Sequence, residues 1–595
     1  MLAKVRQSLQ LLDPKERVLV LLLTALRAIL GLLDILGIFL IGLLIARATN
    51  QIVALESSSK NFEKILLAVG NISLIQIASL ALFLFLAKSL SASLLIKYMT
   101  NRFAKAESEI VTATYLQILR SPISKVSKFS QSEIIYSLTY SSGFAVTQLL
   151  SVMVIILSEF FLLILVTIVF ALVDPVMTLF MLLYFMIVGV FIYRAIGSKF
   201  EKAGRKYANS AISASTSVED SLVAFRELFA LKKQGGFKLK FAESRYGLAQ
   251  SNASIYYLSG LPRYIIESAL MVGGMALLVF ALNSDNPEVA AAKLGIFLTG
   301  ALRIMASMLP LQNSLGSFKQ LAAQAESFFQ LNREFPSDIG RAETLCNLNA
   351  SNNNLEGIGV HLDQVSYTYE LSDYPAVNGV SIDVVKGNTV AFIGQSGSGK
   401  STLADLIAGL LSPNSGNLVL ENSDQRSIGY VPQTPGIISG TIAQNITLNI
   451  NGEIFDQERL DRALSLAHLT DLVSSLEDGV DTDLGAQSDD LSGGQLQRIG
   501  LARAIYANPG LLILDEATSA LDAETEAAVS ESLKTLHGSC TTIVIAHRLS
   551  TIQNADIVHV FDKGEIVASG KFAELVKTNK IVARFVELST LDITN

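Results

Sequence analysis

Apolar residues run through the first half of this chain in long stretches with few charges and through the second half in short, strand-length ones. The first stretch, Val18 to Ala46, is 29 residues. As a helix it measures about 43 Å, enough to cross the hydrocarbon core of a bilayer with tilt to spare. It is too long for a signal-peptide core, and no small-residue cleavage site interrupts it. Five more follow, near Ile65 to Ile96, Phe144 to Val173, Val176 to Tyr193, Leu258 to Leu282 and Leu294 to Leu311. The pattern predicts six membrane-spanning helices.

Polar positions between the spans set the orientation. Lys and Arg crowd the N-terminal tail (Lys4, Arg6, Lys15, Arg17) and the segments Lys97 to Lys128 and Arg194 to Arg245. By the positive-inside rule these sides are cytoplasmic. The connections at Arg47 to Glu63, Asp174-Pro175 and Asn283 to Lys293 then face outward. The two long cytoplasmic connections are too long for loops and too polar for lipid, so they read as helical extensions of the spans. Each forms a hairpin, with tips at Arg120 to Lys125, where Pro122 breaks the pattern, and at Glu219 to Glu227. Residues 336–358 read as a linker, since Asn347 to Asn354 holds five Asn in eight positions. The domains expected are therefore 1–335 and 359–595, the second alternating strands such as Thr389 to Ile393 and Leu511 to Leu514 with helical patterns, as an α/β domain with a parallel sheet does.

Composition sharpens this picture. The 595 residues are 50% hydrophobic and only 17% charged, outside the range of ordinary soluble enzymes. The net charge of −7 conceals two opposite halves: residues 1–340 carry 31 Lys+Arg against 21 Asp+Glu, and residues 341–595 carry 15 against 32. A basic apolar half suits anionic lipid and an acidic polar half suits the cytosol, which argues against a nucleic-acid partner. Cys346 and Cys540 form neither a disulfide framework nor a zinc motif.

The chemistry lies in the second half. Gly394-Gln395-Ser396-Gly397-Ser398-Gly399-Lys400-Ser401 follows a predicted strand and opens a helix expected over Thr402 to Leu411, the setting that a phosphate-binding loop requires. Its glycines let backbone N–H groups converge on phosphate, Lys400 adds a cation, and Ser401 offers a hydroxyl to Mg²⁺. The apolar run Leu511 to Leu514 ends in Asp515 and Glu516. Asp515 suits the Mg²⁺ shell and Glu516 the polarisation of an attacking water.

With these motifs the chain resembles the ABC transporter superfamily over its whole length. Leu491-Ser492-Gly493-Gly494-Gln495, followed by Gln497-Arg498 and Leu501-Ala-Arg503-Ala, matches the signature that separates this family from other phosphate-loop ATPases. The resemblance implies a membrane all-α six-helix exporter domain followed by an α/β ATPase domain that binds ATP and Mg²⁺. It assigns ATP binding to Gly394, Gln395, Ser396, Gly397, Ser398, Gly399, Lys400, Ser401 and Thr402. The signature residues Ser492, Gly493, Gly494 and Gln495 would grip ATP held by the partner subunit. Tyr369, 25 residues before Gly394, is the expected adenine-stacking ring, with Tyr367 the alternative. Gln433 resembles the glutamine that senses Mg²⁺, Ser519 to Asp522 the D-loop and His547 the switch histidine. The implied catalytic set is Glu516, His547 and Gln433, and the metal set Ser401, Gln433 and Asp515.

The resemblance further implies an exporter-type half-transporter, working as a dimer and most simply a homodimer, in a bacterial plasma membrane with the nucleotide-binding domain in the cytoplasm. One departure is the Gly-Glu-x-Gly segment common in exporters, which here reads Gly485-Ala486-Gln487-Ser488. Asp489 and Asp490 are the substitute acids. With the first span expected to begin at Val18, a peptidase domain like that of bacteriocin exporters is not expected ahead of it. The expected activity is ATP-driven export or flipping of an amphipathic substrate. The segment Leu261 to Glu267 is similar to flippases for polyprenyl-pyrophosphate-linked oligosaccharides. A general peptide, drug or lipid exporter and a non-transporting regulator or channel are the alternatives. Within the spans, Arg27 is expected to pair with Asp34 or across helices, and Arg263 with Glu267; Arg303 is a candidate for contact with an anionic headgroup, and Glu159 is a further charge these readings do not place.

Overall fold

The computed structural model describes residues 2–48, 73–173, 175–282, 287–337, 357–370, 372–421, 427–450, 452, 454–485, 491–517, 521–546 and 548–591. The chain divides into two compact units, one of Met1–Ser121 with Val126–Cys346 and one of Pro122–Lys125 with Asn347–Asn595.

The first unit is all helical. Helices α1 (Leu2–Leu11) and α2 (Pro14–Ala48) lead to α3 (Leu74–Leu119) and the short α4 (Ile123–Val126). Two π-helical segments, Ser137–Ser141 and Phe144–Gln148, precede α5 (Leu149–Val173). Then come α6 (Pro175–Val223), α7 (Phe225–Ala230), α8 (Gln234–Leu282), α9 (Pro287–Gln324) and α10 (Glu326–Glu334). Helices α3, α6 and α8 run 46, 49 and 49 residues, about 70 Å each, more than twice a bilayer core. The expected cytoplasmic extensions are therefore continuous helix. The hairpin tips at Pro122 and Ala224 turn through the short helices α4 and α7, as the break at Pro122 suggested.

Four helices among the described residues are long and apolar enough to cross a membrane: Leu74–Leu119, Gln131–Ala171, Pro175–Val223 and Gln234–Val279. The other two expected spans fall in α2 and α9, partly outside the described side chains, so four of the six expected spans are found among the described residues. Helix α3 starts at Leu74, where Ser73 caps it, its hydroxyl accepting from the Gln76 amide. One apolar core joins α5, α6, α8 and α9 around Phe185, Phe200, Ile266 and Phe297. Another gathers α1, α2, α3, α5, α9 and α10 around Phe103, Leu149 and Phe328.

The second unit holds two sheets. Strands β1 (Gly359–Tyr367), β2 (Val377–Val384) and β4 (Ser415–Glu421) make an antiparallel sheet in the order β2-β1-β4. Strands β3 (Thr389–Gly394), β5 (Ile428–Val431), β6 (Leu511–Asp515), β7 (Thr541–Ile545), β8 (Ile557–Asp562) and β9 (Glu565–Gly570) form a sheet in the order β5-β6-β7-β3-β8-β9. All pairs in it are parallel except β8–β9. Alternate residues enter opposite cores: Ala391, Ile393, Leu512 and Leu514 one, Val390, Phe392, Leu511 and Ile513 the other. A sheet covered on both faces explains why these strands read as unbroken apolar runs. The same unit includes Ile123, whose amide donates to the Leu410 carbonyl at 2.8 Å.

Candidate functional site

The carboxyl ends of β3, β5 and β6 lie on one edge of the parallel sheet, where such folds gather ligand-binding loops. After β3 the chain must turn sharply into helix α11 (Lys400–Ile407), and glycines make the turn. A Cβ on Gly394 would sit 2.3 Å from the Phe561 carbonyl oxygen, and one on Gly399 2.2 Å from that of Ala376. Gly399 takes φ 99° and caps the helix, which begins at Lys400, two residues before the expected start, and ends at Ile407 rather than Leu411.

Lys400 is buried, its ammonium donating to the Gly394 and Gln395 carbonyls at 3.0 and 2.8 Å. Burial lowers its pKa, and the carboxylates of Glu516 and Asp515 oppose that shift. The Ser401 hydroxyl donates to Asp515 Oδ1 at 3.1 Å, so the loop serine and the strand acid are in contact. Burial raises the Asp515 pKa, against the pull of the Ser401 bond. Beside it Glu516 takes φ 51°, an uncommon conformation for a residue with a side chain, and its amide donates to the Ile545 carbonyl.

Gln433, in the loop after β5, donates through Nε2 to Glu516 Oε2 at 2.7 Å. Two of the three expected catalytic side chains are thus in direct contact. A third group joins them: Gln497 of α12 (Gly493–Tyr506) donates to the Gln433 carbonyl at 3.2 Å and toward that of Glu516 at 3.5 Å. Close packing holds this helix on the loop, since a Cβ on Gly500 would lie 2.5 Å from Pro435 Cγ. Arg503 adds a bond from Nη2 to the Gly436 carbonyl at 2.9 Å. Sequence reading noted Gln497 only as part of the signature, and nothing in its spacing announced its reach. Asp405 was missed altogether. It is an acid in the otherwise apolar turn Leu403 to Ile407, accepting from the Tyr430 hydroxyl at 3.0 Å, with its pKa raised by burial.

The two aromatic candidates differ in exposure. Tyr367 is 7% exposed and packs edge-on against Tyr369 at 5.0 Å, whereas Tyr369 is 44% exposed and its hydroxyl lies 3.1 Å from Thr402 Oγ1. Tyr369 is the accessible ring over the start of α11. At the signature, Ser492 caps α12 in a reciprocal box: its hydroxyl accepts from the Gln495 amide at 3.3 Å while its own amide donates to Gln495 Oε1 at 2.7 Å. Accepting leaves the Ser492 O–H to donate elsewhere. Asp522 caps α13 (Ala523–Lys534), accepting from the Thr525 amide at 3.2 Å, and that bond lowers its pKa. His547, Ser519, Ala486, Asp489 and Asp490 lie outside the described residues; β7, which leads to His547, runs between β3 and β6.

The arrangement suits a nucleoside triphosphate. A glycine turn at a helix N-terminus and a buried ammonium meet the phosphates, and the Ser401 hydroxyl with the Asp515 carboxylate offers hard oxygen donors that fit Mg²⁺. In the membrane unit, Arg27 pairs across helices with Glu159 at 3.9 Å, and Arg263 with Glu267 at 2.8 Å along one exposed helix face.

Comparison with known proteins extends the picture. The family model described as ABC transporter matches residues 377–519. An ATP-dependent lipid A-core flippase of Francisella tularensis subsp. tularensis (strain FSC 198) is 30% identical over 487 residues, 79% of this chain and 78% of that protein. The protein of the same description from Photobacterium profundum is 30% identical over 399 residues, 65% of this chain and 66% of its own length. Among solved structures, a bacterial Atm1-family ABC exporter with ATP bound aligns with a TM-score of 0.72 at 21% identity, over 96% of this chain and 98% of the other.

Proposed function

This chain belongs to the ABC transporter family, as an exporter-type half-transporter whose ATP hydrolysis is coupled to transport, and from that premise we propose that it is a homodimer that flips an amphipathic glycolipid across the bacterial plasma membrane. The observation that carries the substrate reading is the match to lipid A-core flippases, which at 487 residues is longer than either compact unit and so reaches into both. A lipid-linked oligosaccharide is the finer form of the reading. In the segment Leu261 to Glu267 that first suggested it, the two charged groups satisfy each other locally.

Each residue has a role in this scheme. Tyr369 stacks on adenine, the loop Gly394 to Thr402 wraps the phosphates, and Lys400 neutralises charge that grows on the γ-phosphate. Ser401, Asp515 and the Gln433 carboxamide oxygen would hold Mg²⁺, which when bound neutralises phosphate charge. Glu516, steadied by the Gln433 amide, polarises the attacking water, and His547 contacts the γ-phosphate. The partner subunit's signature, presented on a capped helix N-terminus, closes the site, with Asp522 beside it. The dimer has support at the second hairpin tip, where Val223, Phe225, Phe229 and Leu231 are each more than 60% exposed. An apolar patch of this kind on a cytosolic tip is a docking surface for another chain, here the second subunit's nucleotide domain.

The test is ATPase rate in lipid nanodiscs with Glu516→Gln as blank, across a lipid A-core glycolipid, a polyprenyl-pyrophosphate glycan, a peptide and a cationic drug. Selective stimulation by either glycolipid supports the reading and identifies its form. Stimulation by drug or peptide alone would replace it with a general exporter.

A further inference from the structure

Helices α5, α6 and α9 enclose a groove of about 590 Å³. Its walls include Ile164, Ile168, Met186, Val190, Met308 and Leu311, and its lining is almost wholly apolar. The floor is closed: a Cβ on Gly189 would lie 2.7 Å from Met308 Cε, and the one carboxamide there, Gln312, is buried and donates to the Gly189 carbonyl at 3.3 Å. An apolar slot whose Gln312 and Thr167 side chains both bond to backbone carbonyls offers little to a peptide backbone or a sugar.

Three observations fix what it fits. Along α6 the groove runs from Leu182 to Tyr193, a rise of about 16 Å, which equals the roughly 15 Å depth of one leaflet's hydrocarbon. Its Tyr193 end is the cytoplasmic boundary of the span, because Arg194, Lys199 and Lys202 follow at once and an aromatic ring there sits at headgroup level. At that end a cation is waiting. The Lys319 ammonium lies 4.1 Å from the centre of the Tyr193 ring, and it crosses α6 at Gly197, where an added Cβ would be 2.7 Å from Nζ. Among the described residues no carboxylate pairs with Lys319.

We propose that the groove and Lys319 are a loading site for an anionic lipid of the cytoplasmic leaflet, one acyl chain lying in the groove and the phosphate meeting the ammonium. The lipid-flipping reading supplies the reason for such a site, and the inference rests on it in that respect; binding itself precedes transport and needs no ATP. The site selects by charge at the mouth and by chain length in the groove.

The chain contains no tryptophan, so a single reporter can be placed without background. Ile164→Trp, on the groove wall, is introduced into the full-length protein in nanodiscs containing nitroxide-labelled phosphatidylglycerol or phosphatidylcholine with identical acyl chains. Without ATP, phosphatidylglycerol quenches the reporter at a several-fold lower mole fraction than phosphatidylcholine. Adding Lys319→Gln removes that difference, Lys319→Arg restores it, and neither alters basal ATPase in detergent, which certifies folding. Equal quenching by the two lipids with Lys319 present would overturn the proposal. So would no quenching by either, which would mean that the second subunit covers the groove. Charge-selective quenching without ATP-driven flipping would instead retire the transport reading and leave the site standing.

Discussion

Gln497 ties two loops together with one carboxamide, bonding the backbone of Gln433 and reaching toward that of Glu516. Its loss frees the Gln433–Glu516 contact without touching the phosphate loop. Gln497→Ala is therefore expected to lower ATP turnover about tenfold, the equivalent of one hydrogen bond near 1.4 kcal/mol, while ATP binding stays within twofold. Unchanged turnover in a steady-state assay would show that the contact does not position Glu516. His559 makes a second prediction. Burial in β8 pushes its pKa from 6.5 down to about 4, so the folded chain resists a proton that the unfolded chain accepts. Its contribution to stability is intact above pH 6.5 and declines as pH falls toward 4. His559→Gln should flatten that decline in unfolding temperature, and a decline of the same size in the variant would place its cause elsewhere. At this scale the sequence was partly legible. Lys400, Ser401 and Asp515 could be read because phosphate chemistry dictates their spacing, whereas Gln497 and Asp405 could not, because their partners are set by packing between elements far apart in the chain.

The elements were legible where one rule dominated. Strands β3 and β6 stood out as apolar runs because both faces of the parallel sheet are covered, and the long helices stood out because bilayer and cytosol impose different polarity on one continuous helix. Boundaries were less so: α11 begins at Lys400 through the left-handed Gly399, a feature of backbone geometry rather than of pattern. The signature helix α12 invites a test that separates folding from chemistry. Ser492→Ala removes the cap and should cost about 1 kcal/mol of stability, whereas Ser492→Asp preserves it, since aspartate caps as well as serine. Aspartate also sets a negative charge where the partner's γ-phosphate would bind. Ser492→Asp should then unfold at the wild-type temperature yet hydrolyse ATP at the blank rate; near wild-type hydrolysis would remove the signature from the ATP site.

At the scale of the whole molecule, the front half of the sequence is basic and apolar and the rear half acidic and polar. In the proposed dimer the second subunit covers the second hairpin tip, where Phe225 and Phe229 are exposed. Phe225→Ser with Phe229→Ser should leave ATP binding intact and reduce hydrolysis at least about tenfold, as loss of an interface anchor does. Wild-type hydrolysis in that double variant would refute the docking role. The central claim is lipid flipping driven by hydrolysis at Glu516, and transbilayer movement measures it most directly. The protein is reconstituted in liposomes with a fluorescent lipid A-core glycolipid, and the fraction of label accessible to a membrane-impermeant quencher is followed after ATP is added. The account predicts an ATP-dependent change in that fraction with the wild-type protein and none with Glu516→Gln. Equal label movement with and without ATP, or in the two proteins, would contradict it.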